Sequence, residues 1–85
     1  MTRSEEIRIR FFAQARELTG RAETRIPCSD FTDVKGLRLA LASLHPELKP
    51  LLSRSALAVN LEYVDDARLV SPGDEVAVVP PVAGG

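Results

Sequence analysis

The sequence predicts an α+β fold: a mixed sheet of about five strands with one main helix packed on one face. Three observations lead there. Runs of strict apolar and polar alternation lie near both ends of the chain, a central segment repeats leucines at helical spacing, and 85 residues leave no room for layers on both sides of a sheet.

The elements follow in chain order. In I-R-I-R-F, residues 7–11, Ile7, Ile9 and Phe11 share one face of a strand, while Arg8, Arg10 and then Phe12 share the other. AQARELTG, residues 13–20, is rich in helix formers and closes on a glycine suited to a C-cap, which predicts a helix of about two turns. Residues 22–26 read as a weak strand, and Pro27 suits its end. TDVKGLRLALASLHP is the main helix, with Thr32 or Asp30 as N-cap and Val34, Leu37, Leu41 and Leu44 as the apolar stripe. Pro46 biases His45 out of helical geometry, so ELKPLLSR forms at most a turn or two. ALAVNL alternates again and places Leu57, Val59 and Leu61 on one face; after an acidic turn in YVDDARL, Ser-Pro-Gly-Asp forms a turn. The last strand, EVAVVP, sets Val76 and Val78 against Ala77 and Val79.

This order describes a roll of the ubiquitin-like, β-grasp kind. It is also compatible with a ferredoxin-like arrangement, but that fold needs a second full helix, and ELKPLLSR is too short and too broken by proline. By analogy with the β-grasp sheet, the first and last strands lie parallel at its centre, so that Ile7, Ile9, Phe11, Val59, Val76 and Val78 face Leu37, Leu41 and Leu44.

Composition narrows the function. Eleven Lys and Arg nearly balance twelve Asp and Glu, for a net charge of −1, which gives no electrostatic footprint for nucleic acid or an anionic membrane. One cysteine and one histidine cannot supply an internal disulfide or a zinc site of the usual four ligands, so no metal is expected. The first ten residues, MTRSEEIRIR, carry charges where a signal peptide has an apolar run, and nothing approaches the ~20 apolar residues of a membrane span. The expected location is cytoplasmic.

The ending PPVAGG stands apart from the rest. Two prolines fix φ and remove two donors, holding the exit extended, and two glycines without Cβ keep the last segment thin. Residues 1–79 therefore read as the folded domain and 80–85 as a flexible tail.

The segments IRFFAQARELTG, LAVNLEYVDDARLVSPGDEV and GDEVAVVPPVAGG together resemble the small, sulfur-carrier subunit of molybdopterin synthase, the MoaD family. The pairing of F-F-A-x-x-R-E with P-P-V-x-G-G is more specific than a terminal Gly-Gly, which many ubiquitin-like proteins share. The resemblance implies that an ATP-dependent, E1-like enzyme adenylates Gly85, which follows Gly84. A sulfurtransferase route then replaces AMP by sulfur to give a thiocarboxylate. That sulfur passes to cyclic pyranopterin monophosphate in the large subunit of a heterotetramer, with no cofactor bound by the carrier. Phe12, Tyr63 and Val79 are expected to dock partners, Arg16 to add a polar contact, and Pro80, Pro81, Val82 and Ala83 to line the threaded arm. Two other readings stay open: a carrier for thiazole or thionucleoside synthesis, and a protein modifier joined to lysines through Gly85.

The remaining reactive side chains have structural readings. Cys28 has no base near it in sequence and reads as a small packed thiol. His45 suits a helix C-terminus. Asp65 and Asp66 are turn formers. Ser55 lacks a histidine and carboxylate arrangement, so catalysis by this chain alone is not expected.

Overall fold

The computed structural model describes residues 5–81. Its elements are β1 (Glu6–Phe11), α1 (Ala13–Thr19), β2 (Glu23–Pro27), α2 (Val34–Leu44), α3 (Lys49–Leu52), β3 (Ala56–Val59), β4 (Glu62–Val64) and β5 (Glu75–Val79), with single 3-10 turns at Cys28–Asp30 and Pro46–Leu48. The five strands form one sheet in the order β2-β1-β5-β3-β4. β1 and β5 run parallel at its centre, and every other neighbouring pair is antiparallel. This is the β-grasp arrangement expected from the element order.

Alternation puts one face of the sheet against the helices. Ile7, Ile9 and Phe11 from β1, Ile26 from β2, Leu57 and Val59 from β3 and Val76 and Val78 from β5 are buried there, with Val34, Leu37 and Leu41 of α2. Leu48, Leu51 and Leu52 close one side, which gives the proline-broken segment a packing role despite its shortness. At about 25 cal/mol per Å² of apolar surface removed from water, this contiguous cluster is the main term holding the fold together.

Three sequence expectations are corrected. Asp33, not Thr32 or Asp30, caps α2: its Oδ1 accepts the Gly36 N–H at 2.8 Å. Leu44 is 53% exposed, and His45 is buried in its place. The reason is helical phase: His45 lies one i, i+4 step beyond Leu41 and so stays under the stripe, whereas Leu44 falls at its edge. The imidazole packs edge-on against the Phe11 ring at 5.5 Å between centroids, and its Nε2 lies 3.1 Å from Thr24 Oγ1, so the end of α2 is tied to β1 and β2. Leu61, expected beside Leu57 and Val59, is 93% exposed. Val59 pairs with Glu62, so Asn60 and Leu61 form a two-residue hairpin turn and the alternation stops at Val59.

Candidate functional site

The face of the sheet away from α2 carries the candidate site. Strand register sets its side chains in rows. Arg10 pairs with Ala77, Ala77 with Ala58, and Ala58 with Tyr63, which draws one row across β1, β5, β3 and β4. In the adjacent row Val79 pairs with Ala56. Phe12 keeps extended backbone (φ −126°, ψ 155°) before α1 begins, so it continues the alternation of β1 onto this open face. The chain then turns through Ala13 at φ 50°, a left-handed conformation that a residue with a Cβ rarely adopts.

The result is an apolar surface on a sheet that would otherwise face water. Phe12 is 47% and Tyr63 73% exposed, Val79 is half-buried, and Ala58 and Ala77 form a low floor between them. A hollow of about 120 Å³ lies between Phe12 and Leu61 over that floor, bounded by Arg10 and Glu75. Arg10 Nε stands 3.3 Å from Glu75 Oε2, so the charges at the rim already answer one another. Arg8 does the same with Glu23 at 3.8 Å. An exposed apolar patch with a polar rim is the form of a protein docking surface.

The arm begins at the end of β5, next to Val79. Pro80 is buried and Pro81 exposed, so the chain leaves the fold between them. Val82, Ala83, Gly84 and Gly85 lie outside the described residues. Arg16 is exposed on α1, and among the described residues its side chain makes no hydrogen bond or ion pair and does not line the hollow.

Other reactive groups are engaged elsewhere. Burial, then Glu5 and Glu6, push the Cys28 thiol above its ordinary value, which leaves it protonated and a weak nucleophile at neutral pH. Asp65 Oδ1 accepts the Ala67 N–H at 3.0 Å, and Asp66 Oδ1 accepts from Arg38 Nε at 2.9 Å; the first forms a turn and the second an ion pair. Ser55 is buried and donates to the Leu51 carbonyl at 2.7 Å. Among the described residues no group of three His, Cys, Asp or Glu side chains is placed to hold a metal ion, and no helix is long and apolar enough to cross a membrane.

The model of the ThiS family matches residues 9–85. The chain belongs to the ThiS family. Among its relatives is the molybdopterin synthase sulfur carrier subunit of Escherichia coli K12, 40% identical over 81 residues that span 93% of this chain and 99% of the relative. SAMP1 from Haloferax volcanii has a similar structure, with a TM-score of 0.82 at 25% identity over 94% of this chain and 99% of that one. So does a chain in the protein–protein complex of subunits 1 and 2 of molybdopterin-converting factor from Helicobacter pylori 26695, at a TM-score of 0.68 and 28% identity over 94% of this chain and 99% of that one. The resemblance read from the F-F-A-x-x-R-E and P-P-V-x-G-G segments thus extends along almost the whole ThiS-family chain.

Sequence reasoning named Phe12, Tyr63 and Val79, and register brings all three to the one open face. It missed Arg10, Ala58, Leu61, Glu75 and Ala77, which frame the hollow. Alternation along β1, β3 and β5 contained the signal for four of them. For Leu61 the signal was Asn60, a residue that favours positive φ and so marks a turn.

Proposed function

We propose that this chain is the sulfur-carrier small subunit of a molybdopterin synthase, acting in molybdenum cofactor biosynthesis. The observation that carries the reading is full-length likeness, at 40% identity, to a relative of that name. The fold adds what a carrier needs: an open apolar face for a large subunit and, at the end of the central strand, the root of a thin arm. The Helicobacter pylori neighbour was solved as a complex of subunits 1 and 2, which supports a large-subunit partner.

The chemistry proposed for the arm starts from the Gly85 α-carboxylate. As an anion with an ordinary pKa near 3.5 and no leaving group, it is a poor acyl donor. An E1-like enzyme joins it to the α-phosphate of ATP with loss of pyrophosphate, and AMP becomes the leaving group. A persulfide on a sulfurtransferase displaces AMP to form an acyl disulfide, and a second thiol cleaves the S–S bond, forming a disulfide with the sulfurtransferase's sulfur and leaving a thiocarboxylate on Gly85. The thiocarboxylate sulfur is donated to cyclic pyranopterin monophosphate in the large subunit, and two such donations complete the molybdopterin dithiolene. The carrier's own contribution is reach: six extended residues from Pro80 to Gly85 span roughly 20 Å. Proline restriction at the root lowers the entropy lost on threading, and Gly84 and Gly85 leave the carbonyl unhindered.

The test is reconstitution. Purified carrier, activating enzyme, ATP and a sulfur donor are expected to give a protein with one oxygen replaced by sulfur at Gly85. With a large subunit, that protein converts cyclic pyranopterin monophosphate. Deleting Gly85, or adding one residue after it, is expected to abolish conversion without changing the fold, and a truncated chain that still formed thiocarboxylate would overturn the reading. Likeness to SAMP1, whose name stands for small archaeal modifier protein, favours a second reading in which Gly85 is joined to lysines of other proteins. Mass spectrometry of protein from its native cell separates the two: a terminal thiocarboxylate marks the carrier, and isopeptide bonds to lysines mark the modifier. A carrier for thiazole or thionucleoside synthesis would form the thiocarboxylate but would not turn over the pterin with the large subunit.

A further inference from the structure

Leu61 is out of place by two independent measures. At 93% exposure it buries almost nothing, and at φ 70° it occupies the second central position of a two-residue hairpin turn whose other central residue, Asn60, also has positive φ (52°). Such turns favour Asn at the first position and Gly at the second, because a Cβ is strained there. Leucine supplies neither the backbone freedom nor any core packing. The strain is held in place from outside. Asn60 donates its backbone N–H to the Glu75 carbonyl at 2.8 Å, accepts the Glu75 N–H on Oδ1 at 3.0 Å, and donates from Nδ2 to Asp74 Oδ1 at 2.9 Å. With Asn60 fixed to β5 and the turn before it, Leu61 has no freedom to relax.

What Leu61 does instead is wall the hollow over Ala58 and Ala77, opposite Phe12. Phe12 is itself followed by a left-handed non-glycine residue, Ala13. One wall of the hollow thus stands on backbone that costs stability and the other directly precedes a residue that does, a pattern that points to function rather than packing. The floor is methyl groups, and the Arg10–Glu75 ion pair neutralises the rim, so the site selects an uncharged guest. About 120 Å³ is room for one aliphatic or aromatic side chain.

Resting on the molybdopterin synthase reading above, we propose that Leu61 is a specificity-determining residue of the docking face, closing a socket that takes one apolar side chain of the large subunit. The socket is continuous with the face carrying Phe12, Tyr63 and Val79, which ties its occupant to the same partner.

Replacing Leu61 by glycine relieves the backbone and removes the wall, so stability and binding should move in opposite directions. Melting of the free carrier and its affinity for the purified large subunit are measured for wild type and Leu61→Gly. The melting temperature is expected to hold or rise while affinity falls at least about fivefold, the change that marks an energetically significant interface residue. Ala77→Leu, which fills the socket from its half-exposed floor, is expected to weaken binding by about tenfold or more with the fold intact. Affinity unchanged in both variants overturns the proposal, and so does a melting temperature that drops in Leu61→Gly, since the leucine would then serve the fold. Concentration-dependent self-association of the free carrier that Leu61→Gly abolishes would give the socket to a second copy and overturn it too. If wild type binds and Phe12→Ala weakens binding while Leu61→Gly does not, the inference fails and the functional reading stands; if wild type does not bind the large subunit at all, that reading fails first.

Discussion

Gly36 sits inside the first turn of α2, where a Cβ would come within 3.3 Å of both Asp33 Oδ1 and the Phe31 Cβ. The cap and the glycine are therefore one device: a close approach lets the Asp33 carboxylate reach the Gly36 N–H. Asp33→Ala is expected to lower stability by about 1 kcal/mol in urea melts, with most of the loss absent in Asp33→Asn, which keeps an acceptor. In the turn before β5, Asp74 accepts the Ser71 N–H at 2.8 Å and the Asn60 amide at 2.9 Å, and these bonds hold its carboxyl below the ordinary value. The unfolded chain therefore takes up this proton first. The stability Asp74 contributes is complete above the ordinary carboxylate value of about 3.9 and is lost as pH falls from there through the lower folded value. Melting temperatures between pH 2 and 6 should show a shallower acid loss in Asp74→Asn than in wild type. Single residues were the hardest part of the structure to read from sequence. Three candidate oxygens precede α2, and tertiary context chose the third: Asp33 also bridges to Leu69, which fixes the chain at that point.

Elements were far more legible, because alternation and helical spacing are properties of whole segments. β1, β5 and the stripe Val34, Leu37 and Leu41 could be read directly, whereas Leu44 and His45 at the helix end could not, since one residue of phase decided which was buried. Joints between elements left no sequence signal at all. Arg38 on α2 donates from Nη1 to the carbonyls of Leu52 and Ser55 at 2.7 and 2.8 Å, and from Nε to Asp66, so one guanidinium fastens the main helix to the end of α3 and to the loop after β4. Two of its acceptors are main-chain carbonyls at the end of α3 and in the connection from it to β3, and the loss of these charge-assisted bonds should dominate. Arg38→Met is expected to cost about 1.5–3 kcal/mol, by charge-assisted hydrogen bonds lost. Asp66→Asn should cost less than about 1 kcal/mol, because that ion pair is half exposed and screened. Chemical denaturation of the two variants would separate joint from ornament. Equal losses would mean that the ion pair, not the carbonyl clamp, holds the joint.

At the scale of the molecule, the two faces of one sheet differ: the inner face holds the core, and the outer face leaves Phe12 and Tyr63 exposed and Val79 half-buried, the face proposed above to dock the large subunit. Substitutions on the outer face should therefore affect binding and spare stability. Val79→Glu is expected to reduce large-subunit affinity by about tenfold or more, with a melting temperature close to that of wild type, measured by titration and thermal melting. This division was legible from alternation alone, but the hollow was not, because it depends on which residues of four strands share a row. The parallel pairing of β1 with β5 has a further consequence, in time rather than in space. The centre of the sheet joins the first described strand to the last, so during synthesis β1 has only β2 beside it, and β3 lacks its inner neighbour, until β5 has been made. Contacts so distant along the chain close late and slowly in folding. β5 also leads directly into the arm. The described chain runs only two residues past β5, to the buried Pro80 and the exposed Pro81, so this stretch has its native surroundings only once the last strand has paired and the sheet is complete.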